Sequence, residues 1–353
     1  MTGIEHISDT APASGAGQAQ AAASPLSLHA ALFAGLAATL AILPALGLYP
    51  FVLAEILCFA LFASAFNLML GYGGLLSFGH AMFFGFASYI TAYTAKYGLP
   101  ALPFWLPGAG SFSIPIGLPP FSPALAVLAG AAVAGGLGFI AGSLAIRRQG
   151  IYFAMVTLAL AQMVYFFCLQ APFTGGENGI QAVPRGAAFG LVSLGPDLNA
   201  YYAVAVVFMA GFLLIARIIH SPFGQVLKAI RDNEPRAISL GYQTARYKLA
   251  VFVLSATLAG VAGGMKAIVS QLATLTDVHW SMSGEVILMT LVGGMGTIFG
   301  PLAGAVIIVA IQNYLNSFGA WVTIVQGTIF VVAVLLFKEG IVGVLARAIR
   351  RPL

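Results

Sequence analysis

Apolar stretches recur along the whole chain, at 28–48, 51–70, 76–94, 123–145, 150–170, 199–219, 247–270, 283–317 and 319–337. A helix needs about 20 apolar residues to cross the hydrocarbon of a bilayer, and nearly all of these stretches have that length. The stretch 283–317 is too long for one ordinary crossing and holds Gly293, Gly294, Gly296, Gly300 and Pro301. Glycine and proline interrupt membrane helices only where protein or water satisfies the freed backbone groups. The stretch therefore divides into short segments near 283–296 and 299–317, which brings the number of segments to ten. The pattern predicts an all-α polytopic membrane protein with about ten transmembrane segments, some short or broken by glycine. The broken regions at 71–85 and 291–304 each follow a long span, which suggests an internal repeat and two elements facing each other at the centre.

Composition narrows the class further. Hydrophobic residues make up 60% of the chain and charged residues 7%, against roughly 25% charged in soluble domains. Such a chain cannot cover a water-facing surface, which excludes a soluble enzyme, a disordered protein and a disulfide scaffold. Cys58 and Cys168 stand alone in apolar runs and read as small buried hydrophobes. The net charge of +5 does not point to nucleic acid, because the basic residues are scattered between apolar segments.

Those basic residues set topology instead. The loop 220–246 and its borders hold Arg217, Lys228, Arg231, Arg236, Arg246 and Lys248, and are expected to be cytoplasmic. Counting back, Arg147, Arg148 and the N-terminus fall inside. Counting forward over ten segments, Lys338, Arg347, Arg350 and Arg351 also fall inside, whereas nine segments would put them outside. Both termini are thus expected in the cytoplasm. The outer loops 96–122 and 171–198 carry only Lys96 and Arg185 as basic residues. The first, with Pro100, Pro103, Pro107, Pro115, Pro119 and Pro120, is expected to form an ordered but non-regular cap. Residues 1–27 contain no Lys or Arg and read as a disordered cytoplasmic tail rather than a signal peptide. Residues 28–337 form the membrane domain and 338–353 a basic cytoplasmic tail.

No catalytic constellation emerges. His6, His29, His80, His220 and His279 are dispersed, without the spacing of a zinc site. No Lys precedes Ser or Thr, so a phosphate-binding P-loop is absent, and no cofactor is expected. Gly136, Gly138 and Ala141 fit a dinucleotide fingerprint only in isolation, inside an apolar span.

Three polar features remain. In the loop 221–242, Ser221 and Pro222 start a helix, Phe223, Val226, Leu227 and Ile230 form an apolar stripe, and Lys228 and Arg231 project elsewhere. Asn233 caps a second short helix carrying Glu234 and Pro235 in its first turn, and Gly241 ends it. A solvated linker needs no apolar stripe, so the pair reads as a docking element for a soluble partner. In the second feature, 71–89, glycines surround Ser77 and His80. An ionisable residue in a membrane is a functional candidate, although His80 near a cytoplasmic helix start would be hydrated. Lining of a pathway and a structural hydrogen bond both remain open there. The third feature is the set of acids Glu55, Glu177 and Glu285. Glu177 and Asn178 lie between glycine pairs in T-G-G-E-N-G-I, residues 174–180, a tight outer turn suited to docking or substrate entry.

Small residues also recur four apart, as in Gly138 with Gly142, Gly260 with Gly264, and Gly296 with Gly300 and Gly304. Such spacing brings helix backbones together, within one subunit or between two.

With these stretches in view, the chain resembles the membrane permeases of branched-chain amino-acid ABC importers, specifically the longer of their two permease types. The matching stretches are L-G-Y-G-G-L-L-S-F-G-H-A-M-F-F-G at 70–85, T-G-G-E-N-G-I at 174–180, the loop 221–242, R-Y-K-L-A-V-F-V-L-S-A-T-L-A-G-V-A-G at 246–263 and L-V-G-G-M-G-T-I-F-G-P-L-A-G-A at 291–305. The resemblance runs from about residue 50 to about 340. It implies a permease of the bacterial inner membrane with no ATP site of its own. Its implied partners are a second related permease, two cytoplasmic ATPase subunits that bind ATP, and an extracytoplasmic substrate-binding protein. The loop resembles the ATPase-coupling element, with Glu234, Ala237 and Gly241 on matching positions and Phe223 and Arg231 beside them. Pro235 and Arg236 depart from the small or aliphatic residues usual after that Glu.

Urea and aromatic-acid importers have similar permeases. From another class, an ion-coupled secondary transporter also fits a ten-segment protein, but such carriers use intramembrane ion or proton ligands, in which this sequence is poor. No paired cation and anion for an amino-acid zwitterion stands out. Ser77, Gly79 and His80 of the first broken element and Gly296 and Thr297 of the second are the candidate pathway residues. Glycines that merely permit close helix packing are the alternative reading.

Overall fold

The computed structural model describes residues 25–98, 103–106, 110–113, 119–148, 150–188 and 192–315, with short pieces between 324 and 343. The N-terminal tail up to residue 24, most of the tenth apolar stretch at 319–337 and most of the basic C-terminal tail fall outside the described residues. Helix α1 (Pro25–Ile42) and the 3₁₀ turn after it are the first described elements, and the chain divides at Leu43 into two units, of which Pro44–Leu353 is the second. α1 starts inside the stretch assigned to the tail.

The described part of the second unit is mostly helical: α2 (Pro50–Asn67), α3 (Ala81–Tyr97), α4 (Pro123–Ala145), α5 (Ile151–Gln170), α6 (Asp197–Ile219), α7 (Pro222–Asp232), α8 (Glu234–Ser239), α9 (Thr244–Ser270), α10 (Trp280–Gly293) and α11 (Gly300–Leu315). Among the described residues, five helical stretches are long and apolar enough to cross a membrane: Pro50–Tyr72, Pro123–Ala145, Ile151–Gln170, Asp197–Ile219 and Thr244–Ser270. Proline in the first turn starts α2, α4, α7 and α8, where its missing N–H would have had no partner.

Burial sorts the spans. The α2 and α9 stretches are 78% and 72% buried, against 28% for α5, so α2 and α9 form the core and α5 lies at the edge. α9 packs against α3 and α4, and α2 packs against α6, α9, α10 and α11. Small residues set the α4–α9 contact: Gly138 faces Ala256, Gly260 faces Ala134 and Gly264 faces Val127. The four-residue glycine spacing there serves packing within one chain.

The expected break in 283–317 is present, since α10 ends at Gly293 and α11 begins at Gly300. The expected segment 76–94 needs correction. Residues 68–72 make a π-helical turn, residues 75–78 follow in non-helical backbone, and α3 starts only at Ala81. His80, at the head of α3, bonds to Ser255, which lies about 17 Å along α9 at 1.5 Å per residue. α3 therefore begins inside the bundle, not at its surface. Its first N–H, from Ala81, donates to Ser283 Oγ of α10 at 2.9 Å. The start of α3 thus meets the first turn of α10 in the interior, a contact that lies outside the expected pairing of 71–85 with 291–304.

At the opposite end from α7, short antiparallel pairs tie the loops together: β1 (Pro103–Leu106) with β2 (Gly110–Ser113), β3 (Ile180–Gln181) with β6 (Leu272–Ala273), and β4 (Ala187–Ala188) with β5 (Val192–Ser193). The proline-rich loop was expected to be non-regular. Its described part contains the β1–β2 hairpin.

Candidate functional site

The 221–242 element folds as its capping residues dictate. Ser221 Oγ accepts from Gly224 N at 3.4 Å and opens α7. Asn233 Oδ1 accepts from Arg236 N at 3.0 Å and opens α8. Gly241, at φ +88°, closes it: Gly241 N donates to Ile238 O and Tyr242 N to Ala237 O. That pairing satisfies the last carbonyls and favours glycine, whose missing Cβ makes positive φ inexpensive.

The apolar stripe turns inward, which corrects the expectation that it docks onto a soluble partner. Leu227 and Ile230 are fully buried, and α7 packs on α6, α9 and the π turn. Phe223 stacks on Tyr247 of α9 with ring centroids 5.5 Å apart. Ala237 is buried, and Glu234 pairs with Lys248 of α9 at 2.6 Å. Pro235 and Arg236 are exposed. The outward apolar surface belongs instead to Ile238, Leu240 and Tyr242, which are 56%, 69% and 41% exposed. Sequence periodicity missed them because a six-residue helix is too short to show a stripe.

Beside α7 lies the junction of the two broken elements. Asn67, the last residue of α2, donates from Nδ2 to Thr297 O at 2.8 Å and accepts at Oδ1 from Gly296 N at 2.9 Å. A Cβ on Gly71 would stand 2.7 Å from Gly296 N, so glycine is what allows the two backbones to touch. Gly296 itself holds φ +80°. Thr297 is a cap: its Oγ1 accepts from Gly300 N at 3.0 Å and donates to Gly294 O at 2.8 Å. Arg231 of α7 reaches the same place, with Nη1 donating to Gly71 O at 2.5 Å.

The other candidate pathway residues lie deeper. Ser77 and His80 are fully buried, which corrects the hydrated placement of His80. Ser255 Oγ donates to Ala65 O at 2.5 Å, so at His80 Nε2, 2.8 Å away, it acts as acceptor and Nε2 carries the proton. The rings of Phe62, Phe66, Phe83 and Phe252 enclose the imidazole. The geometry is that of a structural hydrogen bond joining α2, α3 and α9. Ser77 Oγ accepts from Gly79 N, and Gly79 lies against the Thr157 carbonyl of α5.

At the far end, Glu177 and Asn178 are exposed on a 3₁₀ turn between Gly175 and Gly179, both at positive φ. Glu55 meets Asn313 at 3.3 Å, and Glu285 accepts from Gln312 at 2.9 Å, so the acids on α2 and α10 are matched by amides on α11. One pair escaped the sequence reading. Lys266 of α9 donates to both carboxylate oxygens of Asp277, at 2.9 and 2.7 Å, with side chains only 12% and 3% exposed. Lys266 lies deep in the apolar run 247–270, whose other charge, Lys248, stands at its start, and that placement was the available signal. Among the described residues no group of His, Cys, Asp and Glu could hold a metal ion.

Several apolar spans, a buried ion pair and glycine-broken helices define a polytopic α-helical membrane protein of the transport type. Residues 48–334 match the family described as "Branched-chain amino acid transport system / permease component", and the chain belongs to that family. It is 26% identical over 300 residues to the high-affinity branched-chain amino acid transport system permease proteins LivM of Salmonella typhimurium and Escherichia coli. Each match covers 78% of this chain and 65% of the relative. The ribose import permease protein RbsC of Bacillus subtilis is 29% identical over 191 residues, 51% of this chain and 58% of that protein. No solved structure matches the chain.

Proposed function

We propose that the protein is the permease subunit of an ATP-driven ABC importer in a bacterial inner membrane, carrying branched-chain amino acids. It forms the pathway together with a second related permease. Two cytoplasmic ATPase subunits bind and hydrolyse ATP, and an extracytoplasmic binding protein delivers substrate. Urea or an aromatic acid is the alternative cargo. The observation that carries this reading is the α7–α8 element. Its stripe anchors it to the bundle, and it leaves Ile238, Leu240 and Tyr242 outward as an apolar patch for a soluble subunit. An ion-coupled carrier is less well supported, because Lys266 and Asp277 already neutralise each other.

Gly241→Val puts a β-branched residue at φ +88°, a strain of about 1–3 kcal/mol. Glu234→Lys sets a second ammonium against Lys248. Both variants are expected to assemble with their partners in proteoliposomes and to lose about tenfold or more of substrate-stimulated ATP hydrolysis, a coupling change of about 1.4 kcal/mol. Native stimulation in both variants would overturn the coupling role. In a cysteine-free chain, single cysteines at 110 and 345 test the topology. The first is expected to react with an impermeant thiol reagent from outside, and the second only after the membrane is opened. External labelling of 345 removes the ten-segment topology.

A further inference from the structure

We propose that Arg231 is the positioning residue that ties the coupling helix to the junction of the broken helices, so that α7 and the Gly71–Gly296 contact move as one body. The inference rests on the importer reading and goes further, by assigning the route along which ATPase motion enters the bundle.

The π turn at 68–72 supplies the acceptor. A helix that ends leaves its last carbonyls without a donor from the next turn, and π turns are often found at functional sites. The Gly71 carbonyl takes Arg231 Nη1. The same guanidinium is braced from its other side, where Nε and Nη2 both reach Asp232 Oδ1, at 3.1 and 3.0 Å. A planar fork held at both edges has little freedom to follow α7 without pulling on Gly71. The stem of Arg231 lies against Gly74, which is at φ +68°. One turn earlier, Lys228 Nζ sits 5.5 Å from the centre of the Tyr72 ring and grips the residue next to Gly71.

The connection continues past Gly71. Its Cα faces the Gly296 backbone with no room for a Cβ, and Arg231 Nη1 itself lies 3.8 Å from where a Gly296 Cβ would be. Asn67 holds Gly296 and Thr297 to the end of α2. Thr297 caps α11 through Gly300 N, so a displacement of Gly71 reaches the start of α11. At the other end of the tie, Arg231 and Asp232 are the last two residues of α7, and Asn233 turns the chain in extended geometry into α8. The tie thus sits where the exposed patch of α8 joins the part anchored in the bundle.

The test uses the whole complex in proteoliposomes, with Cys58 and Cys168 replaced by Ala and Met295→Cys as reporter, since Met295 is exposed beside Gly296. Arg231→Gln removes the cation and shortens the side chain, whereas Arg231→Lys keeps one donor for Gly71 O. With Arg231 present, the labelling rate at 295 is expected to change about fivefold or more when ATP with vanadate traps the ATPases, the low end of coupling between sites. Arg231→Gln is expected to abolish that change and substrate uptake while ATPase subunits still co-purify and basal hydrolysis persists. Arg231→Lys, which keeps the Gly71 donor but loses the fork braced on Asp232, is expected to restore both in part. ATP-dependent labelling in Arg231→Gln as in the parent overturns the tie. Should Arg231→Gln not assemble, an assembled Arg231→Lys complex without the response overturns it as well. A parent complex that binds no ATPase overturns the importer reading, and the tie with it.

Discussion

Asp277→Leu alone is expected to destabilise the protein by about 3–5 kcal/mol, and Lys266→Met alone by a similar amount, because each strands a buried charge. Both carboxylate oxygens of Asp277 are engaged by Lys266 inside the bundle, and neither side chain has appreciable contact with solvent. The Lys266→Met, Asp277→Leu double variant removes both charges and is expected to recover most of the loss. Melting of the purified protein in detergent, followed by fluorescence-detected gel filtration, measures all three variants. A strongly negative interaction energy in the double-mutant cycle is the expected result. Simple additivity would show that the pair contributes nothing as a pair. The physical ground is asymmetry: an ion pair in a low-dielectric interior roughly offsets its desolvation, whereas one charge without its partner keeps the whole penalty.

The second large effect is expected at Gly71. The Cβ that Gly71→Val adds would stand 2.7 Å from the Gly296 nitrogen and 2.9 Å from its Cα and would press on the Asn67 amide, with two methyl groups still to place beyond it. The Gly296 backbone cannot give way as a flexible side chain does, so overpacking costs at least about 1–3 kcal/mol, and the Asn67 and Arg231 bonds to the junction are lost. Transport is expected to fall more than about tenfold, the equivalent of 1.4 kcal/mol in coupling. Gly136→Ala and Gly284→Ala are the controls, since a Cβ there meets nothing within 4 Å, and both should transport normally. Normal uptake by Gly71→Val would show that the close contact is dispensable.

Much of this architecture was legible because the bilayer imposes a simple code. Apolar runs became α2, α4, α5, α6 and α9 within a few residues of their expected ends, and the glycines of 283–317 marked the break between α10 and α11. Local capping chemistry was equally readable. Ser221, Asn233 and Gly241 act through neighbours one to five residues away, and each does what its side chain or its absence predicts. The apolar stripe of α7 was also seen, but its direction was not. A stripe states that one face must leave water, and does not say whether its own bundle or another protein will cover it. His80 was misplaced for a related reason: hydropathy averages over a window and cannot show that the backbone is non-helical up to Gly79 and that α3 starts inside the bundle.

What the sequence determined by itself is therefore the polytopic helical class, the extent of most spans and the form of the α7–α8 element. These rest on interactions local in the chain, or on the single choice between lipid and water. Tertiary structure alone decided which distant groups meet. Lys266 finds Asp277, Glu285 finds Gln312, Asn67 clasps Gly296 and Thr297, and Arg231 reaches Gly71 across 160 residues of chain. A polar group in a low-dielectric interior must find a partner, and composition announces that need. Which partner it finds depends on how the helices cross, and small residues spaced for close approach permit more than one crossing.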